Sequence, residues 1–219
     1  VFKILVELVR VGIFLSPAMV MQAQTADIAG YAVLALQEVT AAAINGDSRQ
    51  ITRRSEVYTG DTIQTDSTGT AHIRMIDSAV IALRCSSALK IDEYADDQTS
   101  SDKLVLSLTS GSLRTIIGSD RTAQSALFQL HLSNTTINSK GADFEASLRE
   151  HGAIYLAVHD GSITVANEFG ALVLGDNTKS NFALVEANAP PTLLQQYPAQ
   201  LNALQTPAAH SPPNASNCL

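Results

Sequence analysis

The segment VYTGDTIQTDSTGTAHIRMID, residues 57–77, holds two short alternating runs separated by turn residues. From Thr70 onward, Ala71, Ile73 and Met75 fall on one side, and Thr70, His72 and Arg74 on the other. A period of two is the signature of a strand with one buried face. Gly60-Asp61 and Ser67-Thr68-Gly69 flank the runs. Glycine supplies positive φ there, and Asp and Ser bond locally to the backbone, so both clusters read as tight turns.

The same grammar repeats along the chain. Leu104, Leu106 and Leu108 alternate, as do Phe128, Leu130 and Leu132, then Phe144, Ala146 and Leu148. Ile154, Leu156 and Val158 follow, then Ile163 and Val165, Leu172 and Leu174, and Phe182 and Leu184. Turn signals stand between them at Ser110-Gly111, Lys140-Gly141, His151-Gly152, Asp160-Gly161 and Gly175-Asp176-Asn177. Many short strands with regular turns predict an all-β domain, solenoid-like or sandwich-like. Residues 27–44 are ambiguous: Ala, Leu and Gln favour helix, whereas Val33, Ala35, Gln37 and Val39 permit a strand. We read an extended segment from about Tyr31 to Ala43.

Proline marks the boundaries. None of the seven lies between residues 18 and 189, and six cluster from Pro190 to Pro213. Central strands exclude proline because it cannot donate to the ladder. The sheet is therefore expected to end near Ala187, with residues 188–219 a flexible tail rich in Pro, Ala and Asn. A short helix around Leu193 to Leu204 is compatible with that tail. At the other end, Lys3 and Arg10 precede an apolar run from Val11 to Met21, followed by Ala23 and Ala26. This order fits a secretory signal over residues 1–23, and the run is too short for a good membrane span of roughly 20 residues. The chain thus divides into a signal (1–23), an N-terminal segment (24–42), a β domain (43–187) and the tail. The expected location is the periplasm, with inner-membrane anchoring by the apolar run as the alternative.

Composition narrows the function. The net charge is -7 and no Lys/Arg cluster appears, so the basic footprint that nucleic acid requires is missing. Aromatic residues make up 5% and Trp is absent, which argues against stacking platforms for sugars or bases. No GxSxG elbow, phosphate-cradling loop, HxxxH or HExxH occurs. Cys85 and Cys218 form no CxxC pair; a disulfide between them stays open, with Cys85 structural by default. No catalytic, cofactor or metal residue is nominated. Asp92, Glu93, Asp96, Asp97 and Asp102 could offer hard oxygen ligands, but the EF-hand spacing and glycine are missing, and a solvated loop is the plainer reading. Asp92, Glu93, Asp96 and Asp97, with Arg114 as a charge partner, are the candidates for a partner-binding surface.

The stretch from Gly60 resembles the opening motif of FecR domains through Gly60, Asp61, Ile63, Thr65, Gly69, Ala71, Ile73 and Asp77. A second block matches at Ile81, Leu83, Ser87, Leu89, Ile91, Glu93 and Tyr94. A third matches at Leu104, Leu106, Gly111, Leu113, Arg114 and Gly118. A looser fourth keeps Thr136, Ile137, Gly141, Phe144 and Glu145, but has Asn138, Lys140 and Ala142 at hallmark positions. The last holds Gly161, Ile163, Val165, Asn167, Gly170, Leu174 and Gly175. The resemblance spans about residues 43–187 and marks a divergent member. It implies a small solenoid-like β architecture whose motif residues mainly maintain the fold. It also implies a non-catalytic regulatory module that contacts an envelope protein, such as the signalling domain of a TonB-dependent transporter. The expected form is free-standing and exported. The alternative is a structural or surface-interaction protein of the envelope; a hydrolase is a distant third.

Overall fold

In this computed structural model the described residues are 27–96, 102–118, 127–176, 178 and 180–201. They build strands β1 (Ile28–Leu36), β2 (Val39–Ala42), β3 (Ser48–Gln50), β4 (Glu56–Tyr58) and β5 (Thr62–Thr65). Next come β6 (Thr70–Met75), β7 (Val80–Leu83), β8 (Ala88–Ala95), β9 (Lys103–Ile117) and β10 (Leu127–Leu132). β11 (Thr135–Leu148), β12 (Ile154–Asn167), β13 (Gly170–Gly175), β14 (Phe182–Val185) and β15 (Thr192–Leu194) complete them. A single 3-10 turn, Glu150–Gly152, is the helical element among the described residues. The protein is all-β.

All 15 strands are linked in one sheet that folds back on itself into two layers. The first layer runs β4-β1-β6-β7, then the second halves of β9 and β11, the first half of β12, β14 and β15. The second runs β3-β2-β5-β8, then the first half of β9, β10, the first half of β11, the second half of β12, and β13. Every pairing is antiparallel except β9 with β10. The long strands, of 14 or 15 residues, serve both layers. Between the layers lies one apolar cluster. Ile73, Ile81, Leu113, Phe144 and Leu156 come from the first layer, and Ile63, Leu89, Leu106, Phe128 and Ile163 from the second. Phe128 and Phe144 meet edge to face across it, with centroids 5.9 Å apart and planes at 78°. Each such side chain, fully withdrawn from water, stabilises the fold by about 1.5–3 kcal/mol. Of the two architectures left open by the strand pattern, the sandwich-like one describes this layering.

Three of the expected turns are corners within strands. Ser110-Gly111 lies inside β9, Lys140-Gly141 inside β11, and Asp160-Gly161 inside β12. At Gly111 φ is +81°, and a Cβ would stand 2.2 Å from Ser87 Oγ and 2.5 Å from its Cα. At Gly161 φ is +72°, and a Cβ would stand 2.5 Å from the Gly141 carbonyl oxygen. These positions need glycine both for the backbone angle and for the close approach of a neighbouring strand.

The first motif is likewise a fold-holding device. Asp61 is 2% exposed. Its carboxylate accepts from Arg49 at 3.0 Å and from the Tyr58 N–H at 2.8 Å. The Arg49 guanidinium also lies 5.0 Å from the centre of the Tyr58 ring. Gly60 N–H donates to the Ile91 carbonyl at 2.7 Å, tying the turn to β8.

Two boundaries differ from the sequence expectation. The sheet begins at Ile28, because β1 is an interior strand between β4 and β6 and not a separate N-terminal segment. The extended reading of residues 31–43 becomes two strands, broken at Gln37, where φ is 59°. At the other end the sheet runs past Ala187: β15 follows Pro190 and Pro191 as an edge strand, the position in a sheet where nearby proline is tolerated. Leu193 and Leu194 are therefore in a strand and not in a helix, and Leu201 is buried. The expected signal and residues 202–219 of the expected tail lie outside the described residues.

Candidate functional site

Where β9 turns from one layer into the other, four connections converge and leave a groove of about 960 Å³. Its walls come from the β7–β8 loop (Arg84, Cys85, Ser86), the β9 corner (Thr109, Ser110), the β10–β11 turn and the β11–β12 connection (Arg149). The corner is rigid for a local reason. Ser87 Oγ accepts from the Ser112 N–H at 2.9 Å and donates to the Ser112 carbonyl at 3.1 Å. Ser112 Oγ in turn meets Ser147 Oγ at 2.8 Å. The lining combines serine and threonine hydroxyls and two arginines with Leu108 and Leu148, polar and apolar in nearly equal measure. Cys85 is disulfide-bonded. Cys218, the other half of the pair considered from sequence, lies outside the described residues.

Beside the groove, the outward side of the first layer carries a charged row. The register aligns His72, Ala82, Arg114, Glu145, Ala157, Phe182 and Leu194 on neighbouring strands. Arg114 grips Asp143 with both ends of its fork, Nε at 2.7 Å and Nη2 at 2.6 Å, and stands 4.0 Å from Glu145. Glu145 is 2% exposed and accepts from Tyr197 Oη at 2.7 Å; His159 Nε2 lies 3.0 Å away. Tyr197 packs edge to face on Phe182, and the Arg149 guanidinium bonds the Gln200 carbonyl. The segment after β15 thus crosses this face as a strap and closes over Glu145. The fork to Asp143 pushes the Arg114 guanidinium pKa up, against the effect of burial. Burial holds Arg84 below its usual range, partly offset by Glu145. Burial, and then the bond to Glu145, push the Tyr197 hydroxyl up.

The sequence candidates separate in space. Arg114 belongs to the first layer and is taken by Asp143. Asp92 and Glu93 sit on β8 in the second layer, paired with Lys90 at 2.8 Å and with Lys103, respectively. Burial would raise Asp92, but its bonds to Lys90 and Ser107 outweigh it and hold the carboxyl low. Asp96 follows β8 and Asp102 precedes β9, and Asp97 lies outside the described residues. Among the described residues no group of three or more His, Cys, Asp and Glu is placed to hold a metal. His72, expected on an exposed face, points outward from β6 but is half-buried, and burial lowers its pKa. His131 meets Thr136 Oγ1 at 3.2 Å. Sequence reasoning matched Glu145 as a motif residue but not its partners. His159 and Tyr197 reach it from other elements, and Asp143, two residues before it on β11, holds Arg114 instead; no local spacing announces them.

Among the described residues the second layer ends at β13, which pairs there only with β12. Its sequence, GALVLG, has no charged residue and no proline, and Val173 is 48% exposed. Proteins usually blunt such edges. Among the described residues no helix is long and apolar enough to cross a membrane.

Comparison with known proteins agrees with the motif blocks. Residues 61–164 match the family model described as FecR protein. Among curated proteins none matches the chain. Two crystal structures of a "putative anti-sigma factor" from Parabacteroides distasonis resemble it at 13% identity, with TM-scores of 0.50 and 0.49. Each likeness covers 64% of this chain and 61% of that one, less than two thirds of that protein's length, and concerns the fold alone. The matched residues run from the buried Asp61 through the β9 corner to the second half of β12, so residues 61–164 are similar to a FecR domain.

Proposed function

We propose that this protein is a non-catalytic, periplasmic binding module of a signal-transduction system, and that it contacts another envelope protein. The observation that carries the reading is the FecR match over residues 61–164. The similarly folded Parabacteroides protein, a "putative anti-sigma factor", belongs to the same regulatory class. The geometry supports binding over catalysis. Asp61, Ser87, Gly111 and Asn167 are engaged in turns and corners, and Arg114, Asp143 and Glu145 in one another. The edge of β13, without charge or proline, offers a partner a place to add an extended strand, a mode in which main-chain bonds give affinity and alternate side chains give specificity. A TonB-dependent transporter's signalling domain is the partner of choice.

Cell fractionation, with mass spectrometry of the N-terminus and affinity capture by that signalling domain, tests the proposal. A soluble periplasmic form starting near Gln24 that binds the domain supports it. Retention in the inner membrane with residues 1–23 intact makes the apolar run an anchor. Failure to bind any envelope signalling domain overturns the partner.

A further inference from the structure

The strap covers the Glu145 side of the first layer's outward face, whereas the side built by β1, β6, β7 and β9 carries apolar residues in the open. The register sets Tyr31, Arg74, Val80 and Ile116 in one row across these four strands. The row points outward, because the next residue along each strand (Ala32, Met75, Ile81 and Ile117) is buried in the core. Val33 follows on β1, and the Ile76 N–H donates to the Ala29 carbonyl at 3.0 Å, which sets Ile76 beside the same strand. Tyr31, Val33, Ile76 and Ile116 are 37% to 47% exposed. A scattered apolar side chain on a surface needs no explanation, but a group of neighbours marks an interaction site.

The patch is edged with positive charge. Arg74 stands within the row, and the Arg54 N–H donates to the Ala32 carbonyl at 2.7 Å, which holds Arg54 against β1. Both arginines are exposed, and among the described residues neither enters an ion pair. The carboxylates at the two ends of the row are engaged, Glu56 by the Tyr58 hydroxyl and Asp143 by Arg114. In a chain of net charge -7 this face is a local reversal of sign.

We infer that this face docks an amphipathic helix of a partner protein, one whose apolar stripe is bordered by Asp or Glu. β1 and β6 are each paired on both sides, so their main chain is already used and an occupant must bind through side chains. A helix has its own main chain satisfied and presents only side chains. Neighbouring strands lie about 4.8 Å apart, so the face is roughly 14 Å wide from Tyr31 to Ile116, room for one helix of about 10–12 Å diameter. The arginines then meet the helix's acidic border, which gives the contact its orientation. A second copy of the chain offers no such helix among the described residues, whose one helical element is the turn at Glu150–Gly152. The net negative charge sets the molecule against an anionic lipid surface. This site is separate from the β13 edge, which belongs to the second layer.

The test titrates the full chain with a synthetic helical peptide carrying a leucine stripe bordered by glutamates, and with its lysine-for-glutamate counterpart, followed by amide NMR shifts. The glutamate peptide is expected to shift residues 31–34 and 74–76 and to leave residues 170–175 in place. Arg74→Glu is expected to weaken it about tenfold and to favour the lysine peptide. Val33→Asp, a second exposed position, is expected to weaken the glutamate peptide as well. Val173→Arg, which blocks the β13 edge, should leave this binding unchanged, so the two sites fail or stand independently. Equal affinity for the two peptides, shifts confined to other residues, or binding indifferent to Arg74→Glu would each overturn the inference. So would cosedimentation with phosphatidylglycerol vesicles that Arg74→Glu abolishes, which would make the face a lipid surface.

Discussion

Replacing Gly111 by alanine tests whether the β9 corner holds the two layers together. The residue has φ of +81°, and a left-handed conformation costs an L-residue roughly 1–2 kcal/mol. The new Cβ would also meet Ser87 Oγ at 2.2 Å, Ser87 Cα at 2.5 Å and the Ser86 carbonyl oxygen at 2.7 Å. Two of those atoms are backbone, so the β7–β8 loop must move. Moving it breaks the two bonds between Ser87 and Ser112, at 2.9 and 3.1 Å, each worth about 1 kcal/mol. The expected loss is about 3–4 kcal/mol, a large part of the 5–15 kcal/mol typical of a domain. Gly46→Ala is the matched control, because φ is +88° there but nothing lies within 4 Å of a new Cβ. It should lose only the backbone cost of about 1–2 kcal/mol. Urea denaturation of both variants measures the difference through the midpoint at constant slope. Equal losses, to within about 0.5 kcal/mol, would refute the packing argument and leave backbone angle as the whole effect.

Phe144→Ala removes a fully buried ring that meets Phe128, and should cost about 3–5 kcal/mol by thermal or urea unfolding. Asp61→Asn removes the charge facing Arg49 while keeping the shape; unfolding should show a loss of about 1.5–3 kcal/mol, that of a hydrogen bond to a charged group. Tyr197→Phe deletes the hydroxyl on buried Glu145 and should cost about 1–2 kcal/mol, with faster exchange of residues 195–201 but an unchanged core. Burial lowers the His72 pKa, so in acid the unfolded chain takes up the proton first. Its contribution to stability is full above about pH 6.5 and shrinks as pH falls, levelling off below the folded pKa. His72→Gln should flatten that part of the pH profile relative to wild type, read as urea midpoints at neutral and mildly acidic pH.

Much of the fold is legible wherever one strand faces the core and the solvent alternately. Ala71, Ile73 and Met75, and again Phe128, Leu130 and Leu132, alternate in the sequence and are buried as that pattern requires. The motif glycines and aspartates also announce themselves, since few residues accept their backbone angles. What a local pattern does not carry is the fate of a glycine between two apolar runs. Gly111 and Gly161 look like hairpin turns, yet each bends one strand from layer to layer. The difference lies in which neighbour packs against the missing Cβ. The charged face is hidden for a related reason. Arg114 finds Asp143 across a long stretch of chain, and Tyr197 reaches Glu145 from beyond the prolines, where composition suggested a loose tail. Among the described residues no interior strand follows residue 189, as the proline density leads one to expect, but an edge strand and a strap need few main-chain donors.

The measurement that bears most directly on the central claim is a calorimetric titration of the protein with the purified signalling domain of a TonB-dependent transporter from the same cell, run with the wild type and with Val173→Arg. The account predicts saturable binding to the wild type, and at least tenfold weaker binding once the β13 edge carries a charge, a loss of about 1.4 kcal/mol or more. Absence of binding, or binding that Val173→Arg leaves unchanged, would contradict it.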